Sequence, residues 1–316
     1  MRRGADGRTI HLNNAADCAQ EVAGCPLRFV LADDLTRLCT ALAYSKGARS
    51  LACGDLLRVP GESVWLEWCN EPWQTELKGY GFAVDAERGT SGGRRGVLLR
   101  SSRDGRRGML RSFWSTGAEP EVLASSIEAY FDLDTEAGHE PDPQDACRTS
   151  DIRIVSTAPG REDVLSRCFR FRYERSWSDY YAQAALAPRA QEALWRHALG
   201  TIALDVPLVL AFLLLLATRT GLPQSPQRFA RLNRARALAG KAHLLDHIEV
   251  SAPLEATYGP SSVPGAARAR GARRLHHVRG HLVRRGSQIF WRVPHLRGSV
   301  RAGAIRTRTV TWTLGR

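Results

Sequence analysis

Residues 198–217 read ALGTIALDVPLVLAFLLLLA, and whether this stretch lies in a bilayer or in a protein core decides the fold. Its length is about that needed to cross membrane hydrocarbon. Two residues oppose a span. Asp205 near the middle would cost about 2.5–3.5 kcal/mol on insertion, and Pro207 removes a helical N–H. Counted from that interruption, residues 206–217 have the length of a soluble core helix, apolar all round because other elements cover every face. Arg196 and Arg219 flank the run as they would flank a span. A buried core helix remains the favoured reading, and no membrane span is favoured.

Upstream of this helix, Phe169, Phe171 and Tyr173 alternate with Arg170, Arg172 and Glu174, the period of a half-buried strand. The interleaving of aromatic and Arg residues to Tyr181 also suits a base-stacking platform. A strand with one apolar face explains the pattern unaided, and no RNA-recognition signature accompanies it. Residues 135–150, TEAGHEPDPQDACRTS, combine Pro141, Pro143 and Gly138 with acidic residues and form the best linker. Ile152 and Ile154 after it suggest a short strand, and residues 119–131 before it suggest a helix. Residues 33–43, DDLTRLCTALA, place Leu35, Leu38, Cys39 and Leu42 on one helical face behind acidic residues. ESVWLEWCN, GYGFAV, GVLLRS and GMLRSFW follow as strands, so an antiparallel meander is the simplest topology. Residues 89–95, GTSGGRR, lack the G-K-[ST] and the strand-then-helix context of a phosphate loop. They are expected to form a hairpin loop.

The expected class is α+β: an antiparallel meander with helices, a buried apolar helix, and a small basic C-terminal β module. The domains are 1–134, mixed α+β; 135–150, an acidic Pro/Gly linker; 151–255, a strand plus a helical region; and 256–316, an Arg/His-rich β module. The seven cysteines include no C-x-x-C pair, so reduced, mostly buried thiols in a cytoplasmic protein are expected. The N-terminus has no apolar run behind Arg2 and Arg3, which argues against a secretory signal.

Of 316 residues, 43% are hydrophobic, enough for real cores, and 45 Lys+Arg against 32 Asp+Glu give +13. All but Lys46, Lys78 and Lys241 of the basic residues are Arg, a skew that a GC-rich genome produces unaided. The distribution is more informative. Residues 219–316 hold 19 basic and three acidic residues, and residues 256–316 hold 13 Arg and no acid. Genome composition does not remove Asp and Glu from one region while leaving them plentiful upstream. An anionic partner is therefore expected for this region.

It opens with SPQRFARLNRARALAGK, residues 225–241. Ser225 is a plausible N-cap, Pro226 a first helical residue, and Gly240 a stop. Phe229, Leu232 and Leu238 are expected inward and Arg228, Arg231, Arg234 and Arg236 outward. Such a basic helix docks on nucleic-acid phosphates, lies on an anionic membrane, or presents a solvated face to water; the last is favoured. A Gly/Pro/Ser-rich loop over residues 256–270 comes next. Residues 278–283, 289–293 and 309–314 then read as strands of a cationic antiparallel sheet, the first two closed by Arg285, Gly286 and Ser287.

His276, His277, His281 and His295 raise the question of zinc. No Cys lies in the region and the surrounding Arg repel a dication, so neither metal nor cofactor is expected. His281 and His295 are weak candidates for the base and acid of a metal-free ribonuclease, since imidazole titrates near neutrality. Mg²⁺ chemistry lacks the carboxylates it needs. The residues expected to meet nucleic acid are Arg273, Arg274, His277, Arg279, His281, Arg284, Arg285, Trp291, Arg292, His295 and Arg297.

LNRARALAGKAHLLDHIEV, HHVRGHLVRRGSQIFWRVPHLRG and the closing RTRTVTWTL resemble a family of uncharacterised phage and mobile-element proteins with a C-terminal RGH…W…PHxRG pattern. Arg279, Gly280, His281, Trp291, Pro294, His295, Arg297 and Gly298 match it. The resemblance covers about the last ninety residues and implies a genomic setting rather than a chemistry. The expected function is binding of DNA or RNA through phosphate contacts. The alternatives are an assembly protein contacting the other proteins of a phage-like particle and, more weakly, a His-dependent nuclease.

Overall fold

The computed structural model describes residues 2–3, 9–10, 15–44, 56–82, 93–115, 122–134, 169–183, 188–219, 221–253, 274–278, 281–285, 288–292, 295–297 and 299–304. The chain divides into two compact units, 1–217 with 221–252, and 218–220 with 253–316.

The first unit is α+β. Besides the short pair β1 (Arg2–Arg3) and β2 (Thr9–Ile10), its strands are β3 (Leu27–Leu31), β4 (Ser63–Cys69), β5 (Arg94–Ser101), β6 (Arg107–Ser115), β7 (Val122–Asp132), β8 (Phe169–Tyr173), β9 (Gln224–Gln227) and β10 (His247–Val250). Its helices are α1 (Ala15–Gly24), α2 (Asp33–Tyr44), α3 (Asn70–Gly79), α4 (Arg175–Gln183), α5 (Pro188–Ala203), α6 (Asp205–Leu216) and α7 (Ala230–Leu238). β3 to β10 form one sheet in the order β8-β7-β6-β5-β4-β3-β10-β9. From β4 to β8 it is the antiparallel meander that the sequence implies. At the other end β3 runs parallel to both β4 and β10; α2, between β3 and β4, supplies the crossover that their parallel pairing requires.

Period two sets the two faces. Phe29, Leu31, Val64, Leu66, Trp68, Val97 and Leu99 are buried on one side, where α2 and α6 pack together and Phe29 meets Phe212 at 5.4 Å. On the other side Trp65, Leu98 and Phe113 form a cluster with Cys25, closed by Val22 of α1. Cys25 and Cys39 are buried free thiols, and burial pushes the Cys39 thiol far above its ordinary range, which keeps it from reacting as thiolate.

α6 is the core helix read from the sequence, with every residue from Asp205 to Leu215 buried. Residues 189–216 are long and apolar enough to cross a membrane by length and composition, yet most of that window is covered by the fold. Asp205, the residue that opposed a span, is fully buried. Its carboxylate accepts a 2.9 Å hydrogen bond from Arg95 of β5. The Arg95 guanidinium lies 4.6 Å from the Trp73 ring centre and 5.8 Å from that of Trp114.

Several expectations are corrected. Residues 122–132 are strand rather than helix: Ser125, Ile127, Ala129 and Phe131 face inward, and the small residues among them hide the period of two. GYGFAV is not a strand at its start, since Gly79 ends α3 and Gly81 turns the chain at φ +84°. Of residues 89–95, read as a hairpin loop, 89–92 lie outside the described residues, as do 83–88, and Arg94 and Arg95 already belong to β5. Ser225 and Pro226 belong to edge strand β9, where a missing N–H is tolerated, and the helix begins only after Phe229. Residues 135–168, with the linker and the Ile152/Ile154 strand, also lie outside the described residues. β8 pairs with β7, and β10 with β3, so one sheet joins residues on both sides of that stretch.

Gly108 marks the tightest point of the meander. A Cβ there would overlap the backbone of Arg100 and Ser101, and no side-chain rotation relieves a clash with main chain. Gly108→Ala is expected to cost more than about 2 kcal/mol. Urea unfolding checks this, and an unchanged midpoint would contradict the packing described.

Candidate nucleic-acid interface

The second unit contains β11 (Arg274–Val278), β12 (His281–Arg285), β13 (Gln288–Arg292), β14 (His295–Arg297) and β15 (Ser299–Ala304). β12 and β13 form a hairpin; β11 lies between β14 and β15 in a second sheet. The sheet is not wholly antiparallel, since β11 and β15 run parallel. Residues 286–287 and 309–314 lie outside the described residues. Arg219 joins this unit, its N–H donating to the Ile289 carbonyl at 3.0 Å and its guanidinium to the Gln288 side chain at 3.2 Å.

Register sorts the candidate residues. In the hairpin His281 pairs with Arg292, Val283 with Phe290, and Arg285 with Gln288. Arg285, Gln288 and Arg292 are exposed, so this face meets solvent. The alternate positions pair Leu282 with Trp291 and Arg284 with Ile289, and Trp291 and Ile289 are only 6% and 3% exposed. Trp291 is therefore a packing residue, and its indole is not presented for base stacking. The sequence pattern marked it because an alternating strand places an aromatic inside as readily as outside.

In the other sheet His276 pairs with Arg297, His277 with Leu296 and Val278 with His295. Arg274 pairs with Ser299 of β15. Arg273 and Arg279 lie outside the described residues. His281 and His295, the weak candidates for base and acid, belong to different sheets. No group of three His, Cys, Asp or Glu that could hold a metal occurs among the described residues.

The charge asymmetry follows the division into two units. The second unit holds fourteen arginines against Glu255, a net +13; the first holds 31 basic and 31 acidic residues and is neutral. Guanidinium stays protonated at any physiological pH. One carboxylate cannot neutralise fourteen of them.

The first unit carries a different feature that the sequence did not advertise, a cleft of about 460 Å³ on the α1 side of the sheet. Glu249, Val30 and Glu67 are neighbours across its floor, and Phe229, Leu244 and Leu245 help wall it. Glu67 accepts from the Trp65 indole at 2.9 Å and from Arg94. Arg28 donates to the carbonyls of Val22 and Asp246 at 3.0 and 3.2 Å. Glu67 and Arg28 are thus both engaged within the protein. The alternation in ESVWLEWCN was the only signal for Glu67. No family model matches the chain, and neither a curated protein nor a solved structure matches it.

Proposed function

We propose that the protein is a nucleic-acid-binding accessory protein of phage or mobile-element origin, and that its basic C-terminal unit holds the phosphate backbone of DNA or RNA. The partition of charge carries this reading. A polyanion releases condensed counterions when guanidinium groups replace them, so an arginine-rich unit with one acid gains affinity from every phosphate it meets. Such contacts position a protein without reading bases, which gives shallow sequence preference. Arg285 and Arg292, both exposed on the hairpin, are the leading contacts.

The test is titration of the full chain with labelled duplex DNA across a salt series. Replacing Arg285→Gln and Arg292→Gln together removes two contacts. The slope of log K against log salt is expected to fall by about 1.8, and affinity at 0.15 M salt by about thirtyfold. Wild-type affinity and slope in this variant would show that the hairpin face is not the interface.

A further inference from the structure

We infer that helix α7 and its return loop form a second, separate nucleic-acid contact, carried by the otherwise neutral first unit; this rests on the reading above. The sequence favoured a helix with an inward apolar face and a merely solvated basic side. The structure removes the inward apolar face. None of the residues of α7 is buried, Leu232 is 48% exposed and Leu238 93% exposed. A nine-residue helix is too short to hold itself in water, and this one contributes nothing to the core that would account for it.

It is nonetheless firmly pinned. The Asn233 amide donates to the Leu244 carbonyl and accepts from the Leu244 N–H, both at 2.8 Å. Arg236 donates to the Ala242 carbonyl at 2.7 Å, and the Phe229 N–H donates to Asp246 at 2.8 Å. Gly240, at φ +62°, makes the turn that brings the loop back. Each of these bonds ties the inner side of the helix to the loop. The side opposite bears Arg231, Arg234 and Leu238, spaced to share one face, with Lys241 just beyond. All four are exposed, and Arg231, Arg234 and Lys241 have no ion-pair partner among the described residues. The local carboxylate, Asp246, serves Arg228 at 3.4 Å.

The arrangement is a rigid platform for unpaired cations. An interfacial membrane helix segregates its apolar and charged residues, whereas here Leu238 lies between Arg234 and Lys241 on the side that bears the cations. A nucleic-acid backbone fits that mixture: the arginines meet phosphates in fork geometry, and an exposed leucine beside them packs against sugars or bases, as apolar residues do in groove-binding proteins.

The experiment uses the full chain, wild type and Arg231→Gln/Arg234→Gln, titrated with labelled duplex DNA across a salt series, beside the Arg285→Gln/Arg292→Gln variant. The helix variant should keep its melting temperature, because nothing it removes is buried. Its salt slope should fall by about 1.8 and its affinity at 0.15 M by about thirtyfold, and combining both pairs should give a fall of about 3.6. Wild-type binding in the helix variant, with weakened binding in the hairpin variant, would overturn this inference and leave the proposed function standing. No binding by the wild-type chain at low salt would remove both. Loss of binding only to phosphatidylserine vesicles, with DNA binding intact, would overturn the inference in favour of a lipid surface.

Discussion

Asp205→Ala should cost about 3–5 kcal/mol of folding stability, the usual consequence of removing one partner from a buried ion pair. The carboxylate is fully buried at the first turn of α6, and its loss leaves the Arg95 guanidinium against Trp73 and Trp114 without its counter-charge. Replacing both partners, Asp205→Leu with Arg95→Met, should restore most of that loss, because two apolar side chains need no desolvation of charge. Urea unfolding of the two singles and the double closes the cycle. Additive losses would mean that the pair is not coupled.

The same carboxyl sets a pH dependence. Burial pushes it above the ordinary carboxylate range, and Arg95 only partly pulls it back. Its native form therefore keeps a proton at pH values where the unfolded chain has released it. The folded state binds more protons in that window, so this group's contribution falls as pH rises from the ordinary carboxylate value through the raised one. Variants without Asp205 should lack that slope.

Parts of this architecture were legible because a period shows in the residues. The helix α2, the alternation in β4 and β8, and the all-apolar run of α6 each read directly, though the buried face of α2 runs through Thr36 and Thr40 rather than Leu38 and Leu42. β7 did not, since Ser125 and Ala129 occupy inward positions where a large apolar residue would have revealed the strand. The parallel edge was also hidden: His247–Val250 is short, and its pairing with Leu27–Leu31 is a contact between distant parts of the chain that no local pattern encodes. α7 was misread at its start because Ser225 and Pro226 suit a helix N-terminus and an edge strand equally well.

The candidate interface divides in the same way. Charge asymmetry was visible from counting, and a hairpin from the turn residues near Gly286, with its first strand at 281–285 rather than 278–283. The burial of Trp291 and the pairing of Arg284 with Ile289 depend on register, which composition does not fix. The fall of the neutral/basic boundary at the junction of two compact units needed the fold.

Nucleic-acid affinity should collapse with salt. Fourteen arginines with one acid in the second unit leave room for at least six phosphate contacts, and a protein making that many loses about a thousandfold or more in affinity between 50 and 200 mM salt. The loss should be nearly independent of base sequence, because phosphate contacts carry no sequence information. Titrating the full chain with labelled duplexes of unrelated sequence over that range tests the central claim most directly. The account predicts tight binding at 50 mM, a log–log slope steeper than about −5, and little difference between sequences. A shallow slope, or no binding at low salt, would contradict it.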